Sequence, residues 1–264
     1  MKKITLSTLN KMKQEGEKFT CLTAYDSTFA HVLGAAGVET LLVGDSLGMV
    51  LQGNDSTVPV TVEDMVYHTQ CVARGAQQSL IFADMPFMGC ATIDDTLHNS
   101  AALMRAGAHV VKLEGTEWLA EHIFRLAQGG VPVCAHMGLT PQSVNKFGGY
   151  KVQGRGEEAG NQLIKDALVV QEAGAAVLLV ECIPSELGKR LTETLDIPVI
   201  GIGAGPDTDA QVLVMHDMLG VTPGKPAKFV KNFLAESNSI QEAFELYVKE
   251  VKAGTFPGPE HGFE

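Results

Sequence analysis

Four apolar segments of the sequence end in charged side chains. Asp45 follows T-L-L-V-G, Asp84 follows S-L-I-F-A, H-V-V-K-L-E ends with Lys112 and Glu114, and Glu181 follows A-V-L-L-V. Such apolar runs, bounded by Gly or Pro, are typical of strands that are covered on both faces. A carboxylate at one strand end is more often a turn residue or a helix cap than a ligand. Four successive strand ends instead predict one shared polar site, because isolated buried carboxylates are costly.

The carboxylates of this set favour a site for a hard divalent cation. Asp45, Asp84 and Glu114 offer oxygen ligands, which suit Mg²⁺, an ion that keeps positions for water and substrate. A 2-oxo acid bound there would lose a proton to a neighbouring base and form an enolate. Lys112 would balance the carboxylate of this substrate. Glu181 would be the base, because the other three carboxylates serve the cation and its own segment offers it no cation.

Other polar residues also lie at predicted strand ends. For two of the strand-end residues, a purely structural role is an alternative to a role in the site. Lys112 could be an ion-pair partner of Glu114 alone, and His136 could be a core histidine with satisfied hydrogen bonds. The complete set is Tyr25, Asp26, Asp45, Ser46, Asp84, Lys112, Glu114, His136, Glu181, His216 and Asp217.

Strands and helices are predicted to alternate along the chain. Hydrophobic runs and turn residues predict strands at 19–24, 40–43, 79–83, 109–112, 131–135, 176–180, 198–201 and 211–215. Caps and periodicity predict helices at 3–18, 26–36, 61–74, 92–105, 116–128, 157–173 and 184–195. The C-terminal part is predicted to contain one helical turn at 207–210, two polar-faced helices within 227–253 and a loose tail.

This alternation predicts a parallel sheet, and 264 residues suit a single (β/α)8 TIM barrel over residues 1–264. The barrel would have a short N-terminal helix and extra C-terminal helices. A doubly wound open sheet is the alternative, but its first loop would often contain G-x-G-x-x-G, whereas T-A-Y-D ends the first strand. In a barrel, catalytic groups lie at the C-terminal ends of the strands.

Composition narrows the classes of function. The chain is 45% hydrophobic and 19% charged, which is ordinary for a globular protein. A net charge of −11 argues against binding to nucleic acid or an anionic membrane, since both need basic patches. The five cysteines form no C-x-x-C pair, which favours buried, reduced thiols. The chain has no long apolar segment and no signal-peptide pattern, so we expect a cytoplasmic protein without a membrane span.

Seven motifs occur in order along the chain. They are V-G-D-S-L-G at 43–48, A-D-M-P-F at 83–87, K-L-E-G at 112–115, H-M-G-L-T-P-Q at 136–142, G-G-Y-K-V-Q-G-R at 148–155, E-C-I-P at 181–184 and G-I-G-A-G at 201–205. Together they resemble the 3-methyl-2-oxobutanoate (ketopantoate) hydroxymethyltransferase family, from about residue 3 to the C-terminus. The resemblance implies a barrel of the phosphoenolpyruvate mutase/isocitrate lyase type.

The resemblance also implies a reaction. Members of the family transfer a hydroxymethyl group from 5,10-methylenetetrahydrofolate to 3-methyl-2-oxobutanoate, giving 2-dehydropantoate in the first step of pantothenate and coenzyme A biosynthesis. The enolate would attack the methylene group of the folate, and tetrahydrofolate would leave. Small-molecule substrates and a homodecamer are the implied partners. By motif, Asp45 and Asp84 would ligate Mg²⁺, Glu114 would join them directly or through water, Glu181 would accept the proton, and Asp45, Ser46, Asp84, Lys112 and His136 would bind the oxo acid.

Two alternatives and one mobile segment complete the predictions. A Mg²⁺-dependent carbon–carbon lyase or mutase acting on 2-oxo acids would use the same metal and oxo-acid site. Such an enzyme would be expected to have a nucleophilic Cys in its lid, and residues 139–155 contain none. A barrel without catalytic activity is the second alternative, which the intact acidic set argues against. The glycine-rich segment 148–155 is predicted to close over the barrel mouth when substrate binds.

Overall fold

Eight parallel strands form a closed barrel in the computed structural model, which describes residues 3–76 and 78–264. Each strand pairs with the next one along the chain, and the last pairs with the first, so the predicted (β/α)8 barrel is confirmed. The strands are β1 (Phe19–Thr23), β2 (Thr40–Val43), β3 (Leu80–Asp84), β4 (Val110–Glu114), β5 (Val133–Gly138), β6 (Val177–Glu181), β7 (Val199–Ile202) and β8 (Ala210–Leu213).

Helices surround the strands and form most of the connections between them. They are α1 (Leu6–Glu15), α2 (Ser27–Ala35), α3 (Leu47–Val50), α4 (Val62–Gly75), α5 (Ile93–Ala106), α6 (Ala120–Gln128), α7 (Val144–Phe147), α8 (Glu157–Glu172), α9 (Ser185–Thr194), α10 (Met215–Met218) and α11 (Ile240–Ala253). None of the helices within the described ranges is long and apolar enough to cross a membrane.

Local capping explains where several helices begin. The Thr61 hydroxyl accepts a hydrogen bond from Asp64 N, and the Asp64 carboxylate accepts one from Thr61 N, which forms a capping box at the start of α4. Asp26 caps α2 by accepting a hydrogen bond from Phe29 N, and Thr92 caps α5. These helix starts agree with the sequence prediction, because caps are encoded in adjacent residues.

Two apolar layers hold the barrel. Inside the barrel, residues such as Phe19, Phe82 and Leu179 form one cluster, and α1 adds Leu9 and Met12 to it. A larger cluster fills the space between the outer face of the strands and the helices. The polar site therefore lies above a packed interior and not at the mouth of a pore.

Strand register determines which side chains can meet. Asp84 pairs with Lys112 across β3 and β4, and Glu114 lies opposite His136 across β4 and β5. Glu181 lies opposite Gly138 across β5 and β6. Residues two apart on a strand point to the same face, so this register places the charged groups on neighbouring strands side by side.

The fifth and eighth strands differ from the sequence prediction. β5 runs to Gly138, so His136 lies within the strand and not after it. β7 and β8 are joined by residues 203–209 without a helix, and the predicted helical turn at 207–210 is wrong. Lys18 Nζ donates hydrogen bonds of 2.7 Å to Pro206 O and Thr208 O in this connection. These bonds satisfy carbonyls that have no helical partner.

The C-terminal part is also more ordered around the barrel than predicted. Residues 227–253 contain one α-helix, α11, and a 3-10 turn at Leu234–Glu236, so the prediction of two polar-faced helices is wrong. α11 packs against β1 and α2 through buried Phe244 and Tyr247. The tail is not loose, because Phe256 is buried and Ser185 N donates a 2.9 Å hydrogen bond to Phe263 O.

Candidate active site

The predicted charged residues meet at the C-terminal ends of β2 to β6. Lys112 is buried on β4, and its Nζ lies 2.9 Å from Asp84 Oδ1 and 3.8 Å from Glu114 Oε1. Burial alone lowers the pKa of Lys112, but the surrounding carboxylates outweigh it and raise that pKa. Lys112 is therefore a charged group shared by two strand-end carboxylates, and it does more than pair with Glu114.

Asp45 and Asp84 are joined through the main chain. Asp45 N donates a 3.0 Å hydrogen bond to Asp84 Oδ2, and both side chains are buried. Burial, followed by the charges of Asp84 and Glu114, raises the pKa of Asp45 well above its ordinary value. Two carboxylates held this close repel each other when both are ionised, so the pair favours a bound cation.

Glu114 and His136 form the next part of the cluster. His136 Nδ1 lies 3.3 Å from Glu114 Oε1 and 3.2 Å from Lys112 Nζ. A neutral ring can accept a hydrogen bond at Nδ1 from Lys112, whereas a protonated ring donates towards Glu114. Burial and Lys112 lower the pKa of His136, but the carboxylates of Glu114 and Glu181 outweigh them and raise it to about 9. The raised pKa favours a protonated His136 ring, which would donate from Nδ1 towards Glu114.

Glu181 lies beside the other ring nitrogen of His136. The distance from His136 Nε2 to Glu181 Oε2 is 3.2 Å, although the N–H is not directed well enough for a hydrogen bond within the described chain. The Glu181 side chain is 13% exposed, against 4% for His136. Glu181 is thus the carboxylate of the cluster that is open to a molecule entering the barrel mouth.

Ser46 lies directly after Asp45 at the N-cap of α3, and its hydroxyl lies 2.9 Å from the hydroxyl of buried Tyr25. Tyr25 follows β1, so this pair connects the first two strand ends. The remaining strand-end residues do not join the carboxylate cluster. Asp26 caps α2, Asp217 accepts a hydrogen bond from Thr222, and the His216 ring packs 5.5 Å from the Tyr25 ring.

Sequence reasoning missed Gln142. Its Nε2 donates hydrogen bonds to Asp45 Oδ2 (2.8 Å) and Met85 O (2.9 Å), and its main-chain N donates to Glu114 Oε2 (3.0 Å). Gln142 lies in the 3-10 turn Pro141–Ser143 that follows β5. The motif H-M-G-L-T-P-Q contained it, but a neutral side chain in a loop gives no charge signal.

The residues present fit a hard divalent cation. Asp84 Oδ1 is buried and makes no hydrogen bond within the described chain, despite its ion-pair contact with Lys112. Asp45 Oδ1 likewise has no hydrogen-bond partner among residues 3–76 and 78–264. Across these residues, no three His, Cys, Asp or Glu side chains are arranged to hold a metal ion. The chain alone therefore offers the Asp45–Asp84 pair, and Mg²⁺ commonly uses one or two carboxylates with waters and substrate.

The mouth of the barrel is partly covered by the segment after α7. The Tyr150 hydroxyl lies 3.6 Å from Met49 Sδ, and Gln153 N donates a 2.9 Å hydrogen bond to Cys182 O. Partial burial, followed by the charges of Glu181, Asp45 and Glu114, raises the pKa of Tyr150. Segment 148–155 therefore lies near the acidic cluster, where it can limit access to the site.

A closed parallel barrel with charged side chains grouped at the C-terminal strand ends defines a (β/α)8-barrel enzyme. Phosphonopyruvate hydrolase has this fold, with 14% identity, a TM-score of 0.63, and coverage of 95% of this chain and 96% of that chain. 2,3-Dimethylmalate lyase, a PEP mutase/isocitrate lyase superfamily member, is 17% identical with a TM-score of 0.59, covering 79% of this chain and 80% of that chain. At these identities the similarity shows the fold alone, which is the predicted (β/α)8 barrel.

The family model described as ketopantoate hydroxymethyltransferase matches residues 3–259. A protein named 3-methyl-2-oxobutanoate hydroxymethyltransferase from a Marinomonas species is 62% identical, covering 100% of this chain and 96% of that protein. Proteins of the same name from Marinobacter nauticus (60% identical, covering 99% of each chain) and Pseudomonas fluorescens (62%, covering 100% and 99%) match equally well. The chain belongs to the ketopantoate hydroxymethyltransferase family, as the seven motifs predicted.

Proposed function

We propose that this protein transfers a hydroxymethyl group from 5,10-methylenetetrahydrofolate to 3-methyl-2-oxobutanoate, giving 2-dehydropantoate for pantothenate and coenzyme A biosynthesis. The names of relatives at about 60% identity support the reaction. The structural observation that supports it is the position of Glu181, a partly exposed carboxylate beside His136 at the edge of the acidic cluster. A base next to a charged binding site is what removal of a proton near a keto group requires.

Asp45 and Asp84 would hold Mg²⁺, with Glu114 joining directly or through water. When bound, the ion would stabilise the negative charge that develops on the keto oxygen of the oxo acid. Both oxygens of Glu114 already have partners, since Oε1 faces Lys112 and His136 while Oε2 accepts a hydrogen bond from Gln142 N. These contacts favour the contribution through water.

Ser46, Lys112 and His136 would bind and orient the oxo acid. Lys112 is a buried cation that can balance the substrate carboxylate, and Ser46 offers a hydroxyl that Tyr25 holds in place. Because Lys112 and Asp84 are each only 3% exposed, charge interactions with the substrate would be screened little by water. This binding would present C3 of the substrate to the open side of the cluster.

Glu181 would then take the proton from C3. His136 Nε2, 3.2 Å from Glu181 Oε2, would hold this carboxylate in position for the transfer. C3 would form a bond to the methylene carbon of the folate, and water would supply the hydroxyl oxygen on that carbon. The two bonds from this carbon to the folate nitrogens would break, and tetrahydrofolate would leave with the C3 proton and one proton of the water on those nitrogens. The chain contributes orientation and charge, while the folate supplies the electrophile.

The reaction can be tested with the purified full-length chain, Mg²⁺ and 3-methyl-2-oxobutanoate. We expect 2-dehydropantoate by NMR only when 5,10-methylenetetrahydrofolate is added. A Glu193→Gln variant, which changes an exposed carboxylate on α9, should behave as wild type. Turnover of 2-oxo acids that does not need the folate would instead support the lyase or mutase, and no turnover with all components present would support a barrel without catalytic activity.

The assembly and location of the protein are further parts of this proposal. The family resemblance implies a homodecamer, which light scattering would report as a mass about ten times that of the 28.1 kDa chain. A smaller assembly would contradict this expectation. We expect the protein in the cytoplasmic fraction of cells, which fractionation with an antibody would check.

A further inference from the structure

Gln142 contacts carboxylates that belong to two different strand ends. Its side chain reaches Asp45 after β2, while its main-chain N reaches Glu114 at the end of β4. The same amide also contacts Met85 O, directly after β3. We propose that Gln142 is a positioning residue, which orients the Asp45 carboxylate for the divalent cation. This inference rests on the function proposed above.

The hydrogen bonds of the amide define its orientation. Met85 O is a carbonyl and can only accept a hydrogen bond, and so can Asp45 Oδ2 when its carboxylate is ionised, so the NH₂ group must face both. The two amide protons are then both used. Because the bond to Met85 O fixes the Gln142 amide, the second bond to Asp45 Oδ2 restricts rotation of the Asp45 carboxylate.

The pattern of occupied oxygens shows what this restriction achieves. Gln142 occupies Oδ2 of Asp45, and the main-chain N of Asp45 occupies Oδ2 of Asp84. Within the described chain, the Oδ1 atom of each carboxylate has no hydrogen bond. Each carboxylate therefore has one oxygen held by an amide donor, while Asp45 Oδ1 is left for a cation and Asp84 Oδ1 faces the Lys112 ammonium at 2.9 Å. Carboxylates that ligate metals are typically hydrogen-bonded in this way by a neighbouring group.

The backbone of this turn is held independently of the Gln142 side chain. Gly138, with φ of +85°, turns the chain after β5, and Leu139 N donates a 2.8 Å hydrogen bond to Glu181 O. A Cβ at Gly138 would lie 2.3 Å from that same oxygen, so only glycine permits this approach. Side-chain substitutions at Gln142 should leave the turn and its main-chain bond to Glu114 in place.

Two variants separate the donor from the shape of the side chain. Gln142→Met removes both donors at similar length, and Gln142→Glu puts an acceptor against Asp45 Oδ2 and Met85 O. We expect calorimetry with Mg²⁺ alone to show affinity lower by about 10- to 100-fold for Gln142→Met, and a larger loss for Gln142→Glu. The melting temperature of the metal-free Gln142→Met protein should stay close to that of the wild type.

A matched control is available on the outer helix α8. Gln162 Nε2 donates a 2.7 Å hydrogen bond to Asp166 Oδ1, so Gln162→Met removes the same kind of bond away from the site. We expect this variant to bind Mg²⁺ as wild type does. Raising the Mg²⁺ concentration should restore kcat of Gln142→Met, a rescue that a purely structural defect would not show.

The outcomes distinguish this inference from the proposed function. Mg²⁺ affinity within twofold of wild type in both Gln142 variants would overturn the positioning role, even if wild type shows folate-dependent turnover. Absence of folate-dependent turnover in wild type would overturn the proposed function, while the Mg²⁺ calorimetry of the variants would still decide the role of Gln142. Loss of turnover in Gln142→Met that Mg²⁺ does not rescue would also contradict the positioning role.

Discussion

His136 Nε2 lies 3.2 Å from Glu181 Oε2, across the neighbouring strands β5 and β6. Glu181 is in register with Gly138, two residues beyond His136, and residues two apart on a strand share a face. The cation that the segment A-V-L-L-V-E lacks is thus provided by the adjacent strand. The proposed base therefore lies next to His136. Burial lowers the pKa of His136, but the carboxylates of Glu114 and Glu181 outweigh burial and raise this pKa to about 9.

Glu181→Gln should retain the shape of the site and lose the base. We expect Mg²⁺ and the oxo acid still to bind, whereas exchange of the C3 proton with deuterated solvent, followed by NMR without folate, falls by roughly 10² or more. Turnover should fall in parallel. If exchange survives while turnover is lost, Glu181 acts in a later step and another group is the base.

His136→Gln should remove the positive charge beside Glu181. A hydrogen bond to a charged group contributes more free energy than one between neutral groups, so the neutral Gln should hold Glu181 less firmly. We therefore expect C3 exchange to fall by about tenfold or more. Oxo-acid affinity should also weaken if His136 contacts that substrate. His31→Gln, on the exposed side of α2, serves as the control. Exchange at the wild-type rate would show that Glu181 needs no cation from β5.

Asp84→Asn should separate the charge of this residue from its packing. The amide oxygen can still accept the hydrogen bond from Asp45 N, but the carboxylate that faces Lys112 is lost. We expect calorimetry to show Mg²⁺ and oxo-acid affinities both lowered by at least about tenfold, because one chelate joins the two ligands. Asp55→Asn, at an exposed site, is the control. Unchanged oxo-acid affinity in Asp84→Asn would argue against the chelate.

Segment 147–156 should close on the substrates. Gly148, Gly149 and Gly154 have positive φ values, and Tyr150 lies close enough to the acidic cluster for its pKa to respond to it. We expect hydrogen exchange across this segment to slow when oxo acid and folate are both bound. Exchange in the turn at 129–132 between α6 and β5, at the opposite end of the barrel, serves as the internal reference. Equal rates with and without ligands would indicate a static loop.

Cys90 should react slowly with alkylating reagents at neutral pH. The five cysteines are free thiols, and burial raises the pKa of Cys90 to about 11. Because the thiolate is the reactive form and an ordinary thiol has a pKa of about 8.5, the rate at Cys90 should keep rising between pH 8 and pH 10. Peptide mapping by mass spectrometry, with Cys90→Ser as control, would measure it. A rate that levels off near pH 9 would contradict the raised pKa.

Much of the fold was encoded in local sequence patterns. Thr40–Val43 forms a strand with the predicted bounds, and Thr61 and Thr92 start helices as predicted, because run length and capping depend on adjacent residues. The charged residues at the strand ends also indicated the site, because each of them can be recognised within its own segment. In a parallel barrel, the C-terminal ends of all strands meet on one face.

Tertiary structure decided the contacts that depend on strand register and on packing between segments far apart in the sequence. The approach of His136 to Glu181 follows from the pairing of β5 with β6, which single segments do not specify. The role of Gln142 depends on where a turn places a neutral side chain in space. The apolar face of α11 packs against β1 and α2, which lie more than 200 residues earlier in the sequence. A helix that was predicted to be polar-faced is therefore part of the helical layer around the barrel. Local patterns specify elements, whereas long-range packing decides which of their side chains meet.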